Sequence, residues 1–240
     1  PICGGCPAQL RIFHLAGRFR NRIFLTEQLE GCSCECIKDG YGVKLIQIDD
    51  KKICINLINS AWSSKGNDDY RNLVLGRWQL EENRKRIIDL VYFAKTGHPG
   101  GALSIIDMLT AIYELDVDLT AEKRSKVVLS KGHTVPALYA VLNSKGIVKD
   151  EEMKTFRKIN SRLQGHPYTG TIAEVDATTG LLGQGLSMAV GMAIAKKNIG
   201  DNHHVYAIVG DGEMQEGQIW ESLLQAAHYK LNNLILIIDY

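Results

Sequence analysis

Four short stretches of this chain set polar, proton-handling side chains beside glycines. They are "GHPGG" around His98, "SKGH" around His133, "QGHP" around His166 and "VGDGEMQEG" around Asp211. Imidazoles titrate close to neutral pH, so they can donate to phosphate or sugar oxygens or move a proton. The glycines let the backbone turn sharply and approach a ligand. Asp211 stands between two glycines just after the apolar run "VYAIV". A carboxylate there faces a natural anion site, which makes chemical sense if a divalent cation bridges it to phosphate oxygens. Each stretch has a plain reading too: Gly-Asp-Gly is a common turn, and a lone loop histidine is ordinarily just solvated. Three histidines in glycine-flanked loops at element ends exceed coincidence. His14, His203, His204 and His228 lack that context and read as surface or packing residues.

The elements that must position these residues alternate between helix and strand. From Tyr70 to Lys95 apolar residues recur at helical spacing, and "TGHPGG" stops the helix because Pro99 disfavours helical backbone at His98. A second helix is predicted over about Ser104 to Leu115, with Ser104 as N-cap and Asp107 three residues on. "KVVLS" reads as a buried strand, "KGH" as the turn at its end, and Pro136 as the first turn of a helix reaching about Lys145. "LQGHPYTG" and "TTGLLGQG" are loops, and "LSMAVGMAIAKKN" is a small-residue helix suited to close packing. Strand, helix, strand complete the chain. This alternation predicts an α/β fold, a parallel sheet flanked by helices on both faces. Ligands in such sheets bind beyond the carboxyl ends of the strands, which is where Gly210-Asp211-Gly212 falls.

Residues 1–66 read as a separate Cys-containing appendage and 67–240 as the main domain. In the appendage "VKLIQIDDKKICINLI" alternates about Asp-Asp-Lys-Lys, a β-hairpin pattern. Cys3, Cys6, Cys32, Cys34, Cys36 and Cys54 all lie there, ahead of a long cysteine-free region, which favours a reducing, cytoplasmic setting. The thiols suffice in number for a zinc site, but Cys-x-Cys-x-Cys spacing suits a zinc ribbon poorly, and reduced free thiols are the expectation. At 240 residues, 45% hydrophobic and 23% charged, the chain has material for a substantial core. A formal net charge of +1 gives no reason to expect nucleic acid or an anionic membrane as partner. No apolar run approaches the roughly 18 residues that span a bilayer. The first residues show neither an initiator Met nor a signal-peptide layout.

The stretch from about Tyr70 to Tyr240 resembles the N-terminal, diphosphate-binding part of transketolase. The motifs, in order, are "AKTGHPGGALS", "VVLSKGHTVPALYA", "SRLQGHP", "TTGLLGQGLSMAVGMA" and "VGDGEMQEGQIWE". The resemblance implies thiamine diphosphate as cofactor, held through Mg²⁺ or Ca²⁺ by Asp211, with the Gly212 amide on the diphosphate. It implies that His133 and the turn Gly180, Leu181, Leu182 line the cofactor, that His98 contacts the sugar substrate, that His166 sits near the thiazolium and the substrate's reacting carbons, and that Glu216 belongs to a subunit contact. It also implies a C-terminal transketolase half, supplied by a second polypeptide or by further chain, in a homo-oligomer or heterotetramer. A second metal-ligating residue, an Asn, would follow immediately after Tyr240. By itself the chain is therefore expected to be an incomplete half-site, a fragment of a longer product and inactive alone. The implied activity is transfer of a two-carbon ketol unit between sugar phosphates, in the pentose phosphate pathway. The alternatives are a 1-deoxyxylulose-5-phosphate synthase, a dihydroxyacetone synthase and a non-catalytic binding subunit.

Overall fold

The computed structural model describes the backbone of residues 11–16, 41–48 and 51–59, and residues 77–240 with side chains from 78 onward. Three strands come from the early part: β1 (Arg11–Ala16), β2 (Tyr41–Ile48) and β3 (Lys51–Asn59). The rest runs α1 (Arg77–Ala94), α2 (Pro99–Leu115), β4 (Lys126–Leu129), α3 (Val135–Ser144), α4 (Asp150–Met153), α5 (Gln184–Asn198), β5 (Val205–Gly210), α6 (Gly217–His228) and β6 (Leu234–Asp239). The sheet order is β2-β3-β1-β6-β5-β4. β4, β5, β6, β1 and β3 are mutually parallel, and β2 pairs antiparallel with β3 as the hairpin that the alternating pattern predicts. The boundary expected near residue 66, the start of the first helix at Tyr70, and all the cysteines except the backbone of Cys54 lie outside the described residues.

Strand residues alternate between two apolar layers, as a period of two requires. Val127, Leu129, Ile208, Ile235 and Ile237 pack with α1, α2 and α3 on one face. Val128, Ala207, Val209, Leu236 and Ile238 pack with α5 and α6 on the other. Helices thus cover both faces, as expected of parallel strands buried on both sides. The small-residue helix α5 lies close against the sheet: Gly185 sits on Ser130 so tightly that a Cβ would have no room.

One helix differs from its sequence expectation. α2 begins at Pro99, five residues before Ser104, with His98 at its N-cap. Proline at the first helical position costs no hydrogen bond and has the required φ, and this outweighs the Gly-Gly that follows. Ser104 is therefore not a cap but an inward-facing helical residue that donates from Oγ to Asp239 Oδ1 at 2.6 Å. Asp107, expected near a cap, instead pairs with Arg84 of α1. Among the described residues no helix is long and apolar enough to cross a membrane.

Candidate functional site

Two of the glycine-flanked motifs, around His133 and Asp211, emerge on the carboxyl edge of β4, β5 and β6. β4 runs into Ser130, Lys131 and the short turn Gly132–Thr134; β5 ends on Gly210 and leads through Asp211 into a turn over Gly212–Gln215; β6 ends on Asp239. The sheet register sets Gly210 beside Asp239, and Asp211 N donates to Asp239 O at 3.0 Å. A further motif, "TTGLLGQG", is delivered alongside β4 by Asp176, whose carboxylate accepts from Arg124 and from Val127 N at 2.9 Å. Thr179 Oγ1 then donates to Leu129 O at 2.6 Å. Gly180 and Gly183 turn the chain there with φ of +150° and +84°, values that L side chains rarely adopt.

The three imidazoles that the sequence singles out come together. His98 and His133 meet edge to face with ring centroids 5.2 Å apart. His166 lies against the Gly180 turn, where a Cβ would come within 3.1 Å of its ring. Gly101 leaves room for Thr134 and for the neighbouring Lys131 and His133. Burial, reinforced by the Lys131, His98 and His166 charges and opposed by Asp239, holds the His133 imidazole below its ordinary pKa. His166 is also lowered, by burial first and then by Arg157 and His98. Both imidazoles are thereby kept neutral near pH 7, able to accept or donate one proton. Beside them lies an open cleft of about 420 Å³ lined by Gln164, His166, Tyr168, Thr178 and Thr179 among others.

Beneath these loops lies a polar layer that the sequence does not advertise. Lys131 and Asp239 form a buried ion pair, and Ser104 satisfies the other carboxylate oxygen. Glu213, 2% exposed, accepts from Ser130 Oγ, from Gly183 N at 2.8 Å and from Gly210 N at 3.1 Å. One carboxylate thus joins the ends of β4 and β5 to the "GLLG" turn. The motif spacings give no sign of it, because all but the Gly210 contact are distant in sequence. Glu216 is exposed at the N-terminus of α6 and packs under Gly183, whose Cβ would fall 2.8 Å from the Glu216 Cβ. Leu181 and Leu182 are exposed, at 74% and 44%.

The geometry fits a diphosphate and a cation. The Asp211 carboxylate is exposed and accepts no hydrogen bond among the described residues. The space over Gly210 and Gly212 is open, with nothing within 4 Å of either Cβ position. A single carboxylate with adjoining backbone amides suits a hard cation that takes most of its oxygens from a bound phosphate. Among the described residues no group of three or more His, Cys, Asp or Glu side chains could enclose a metal without such help.

Comparison with known proteins identifies the arrangement. Residues 78–240 match the family profile of the transketolase thiamine diphosphate binding domain. The chain belongs to the transketolase family. It is 45% identical over 167 residues to an apulose-4-phosphate transketolase subunit of Phocaeicola vulgatus, covering 67% of this chain and 59% of that protein. It is 38% identical over 165 residues to human transketolase, covering 65% of this chain and 26% of that one. Among solved structures, the transketolase of Leishmania mexicana superposes with a TM-score of 0.63 at 31% identity, over 67% of this chain and 26% of its own. That of Campylobacter jejuni gives 0.61 at 35%, over 68% and 28%. This chain therefore spans little more than half of the Phocaeicola relative and about a quarter of the single-chain transketolases. The transketolase domain present is the N-terminal one that binds thiamine diphosphate.

Proposed function

We propose that this chain supplies the diphosphate-binding half of a two-part transketolase, which moves a two-carbon ketol unit from a ketose phosphate to an aldose phosphate. The observation that carries this reading is the convergence of His98, His133 and His166 with the Gly180 turn, on the same sheet edge as Asp211. In this reading Asp211 holds Mg²⁺, or Ca²⁺, against the diphosphate, the Gly212 amide donates to it, and His133 with Gly180, Leu181 and Leu182 lines the cofactor. Thiamine diphosphate, once bound, supplies the carbon nucleophile that this chain lacks. His98 and His166 orient the sugar hydroxyls, and their imidazoles can take up and return a proton there.

Relatives that are separate subunits support a complementary C-terminal polypeptide as partner, in an assembly of at least two of each half. Glu216, beneath the Gly183 turn, would contribute to that contact. The relatives found are transketolases and transketolase subunits, which favours ketol transfer over a synthase or a non-catalytic binding protein. The cysteine distribution supports a cytoplasmic setting, and a place in pentose phosphate metabolism follows from the substrates proposed.

Calorimetric titration of the chain, combined with a complementary C-terminal half, with thiamine diphosphate tests the reading. Binding should require Mg²⁺ and should fall at least tenfold in Asp211→Asn, equivalent to about 1.4 kcal/mol. Metal-independent binding, unchanged by that substitution, would overturn the metal assignment. Mixed with a complementary C-terminal half, the chain should transfer a ketol unit from a ketose phosphate, and no transfer in that mixture would overturn the catalytic reading.

A further inference from the structure

The loops that carry His98 and His166 lie far apart in the chain, and a single guanidinium joins them. Arg157 sits just beyond α4 with φ +61°, a left-handed conformation uncommon for a residue with a side chain. Its amide donates to Leu163 O at 2.9 Å, closing the segment that leads to His166. Its Nη1 donates to Thr96 Oγ1 at 2.7 Å, two residues before His98. The chain at Gly165 runs close against the same guanidinium: a Cβ there would fall 2.7 Å from Nε and 2.9 Å from Nη2.

The aromatic platform under this arrangement is buried. Phe156 is 2% exposed; the guanidinium carbon stands 5.8 Å from its ring centre, and Phe156 Cε1 would be 3.7 Å from a Cβ at Gly97. Phe156 packs edge to face on Tyr139 at 6.0 Å, and the Tyr139 hydroxyl donates to Gln164 O at 3.1 Å. Both histidine loops therefore lean on Phe156-Arg157.

We propose that Arg157 is a positioning residue that sets the spacing between the His98 loop and the His166 loop. This rests on the reading above that both imidazoles serve one substrate. Two groups that act on the same sugar must keep a fixed separation, and a displacement near 1 Å can lower a rate about 100-fold. Arginine suits the task because its planar fork reaches Thr96 through Nη1 while Nε and Nη2 lie close beside Gly165. Lysine, with one rotatable ammonium, can satisfy only one of the two.

Amide hydrogen exchange on the chain itself tests the coupling without any assay of activity. Thr96→Ala removes one hydroxyl, yet should raise exchange in residues 163–168 as well as in its own loop, by about two- to fivefold for one lost solvent-exposed hydrogen bond. Thr96→Ser should restore the unsubstituted pattern. Arg157→Lys should loosen both loops and leave β4, β5 and β6 protected as before. Loosening confined to the loop that carries the substitution, or spread through the whole domain, would overturn the proposal. With the complementary half added, Arg157→Lys should lower kcat for ketol transfer while thiamine diphosphate affinity stays unchanged. An unchanged kcat would overturn the positioning role. If the unsubstituted mixture shows no ketol transfer, the transketolase reading fails while the exchange coupling between the loops still stands.

Discussion

At the scale of single residues, the three imidazoles and Asp211 are legible in the sequence because their signal is local: a polar side chain among glycines at an element end. Glu213 is illegible because its importance lies in which donors reach it. Two backbone amides and a hydroxyl from three separate segments point at one carboxylate that is 2% exposed, with no cation paired to it among the described residues. Glu213→Ala would strand Ser130 Oγ–H, Gly183 N–H and Gly210 N–H around a cavity, and stability should fall by about 2–4 kcal/mol. Glu213→Gln keeps one acceptor oxygen but turns an NH₂ toward a donor, so it should be destabilising by a smaller amount. Urea unfolding of the two variants checks this order, and equal losses would mean that volume rather than hydrogen bonding sets the effect. Ser104 teaches the same lesson: it has the identity of a cap, but its partner Asp239 lies 135 residues further along the chain.

At the scale of elements, periodicity and breakers locate β4, β5, β6, α3, α5 and α6 because alternation and proline placement are properties of short windows. The start of α2 escapes those windows because Gly-Gly reads as a loop until one sees what packs on it. Gly101 admits Thr134, whose Cγ2 would lie 2.7 Å from a Cβ there. Gly132 is enclosed by backbone as well, with the Gly180 amide nitrogen 2.9 Å and Thr179 Oγ1 2.8 Å from its Cβ position. Backbone cannot rotate aside as a side chain can, so Gly132→Ala must push the Gly180 turn away from β4. A loss of about 1–3 kcal/mol is expected from overpacking, together with weaker thiamine diphosphate binding. Unfolding and calorimetric titration of one variant measure both. The Lys131–Asp239 pair joins the β4 turn to the tip of β6, with Ser104 of α2 completing it. Lys131→Met leaves a buried carboxylate with one hydroxyl partner and should lower stability by about 3–5 kcal/mol, whereas replacing both members by apolar residues should recover most of that loss. A double-substitution cycle followed by urea midpoint decides between these outcomes.

At the scale of the whole molecule, one sheet is buried between two apolar layers, so any group whose protonation differs between the folded and unfolded chain is felt in global stability. Two groups of residues set the pH dependence, with the same sign but in different windows. The His133 and His166 imidazoles titrate below their ordinary value of about 6.5 in the folded chain, chiefly because burial opposes their charge. Below that value the unfolded chain binds more protons than the folded one, so stability rises with pH through this window and is lost as pH falls through the folded values. The second group is carboxylates held below their usual range. Glu152 is lowered to about 2, first by its hydrogen bonds from Arg162. Asp201 is lowered by Lys196 above all, with His203 contributing. Asp116 is lowered by hydrogen bonds from Ser125, Tyr206 and His204, which together outweigh its burial, the largest single influence. Their contribution is complete above the unfolded carboxylate values of about 4 and disappears as pH falls through the lower folded ones. The urea midpoint should therefore hold level from about pH 8 to 7, decline gently as pH falls below about 6.5, and drop steeply below about pH 4. Replacing His133 and His166 together by Asn should flatten the gentle segment and leave the steep one in place. If the doubly substituted chain keeps the gentle slope below about pH 6.5, the histidines at the sheet edge do not govern it.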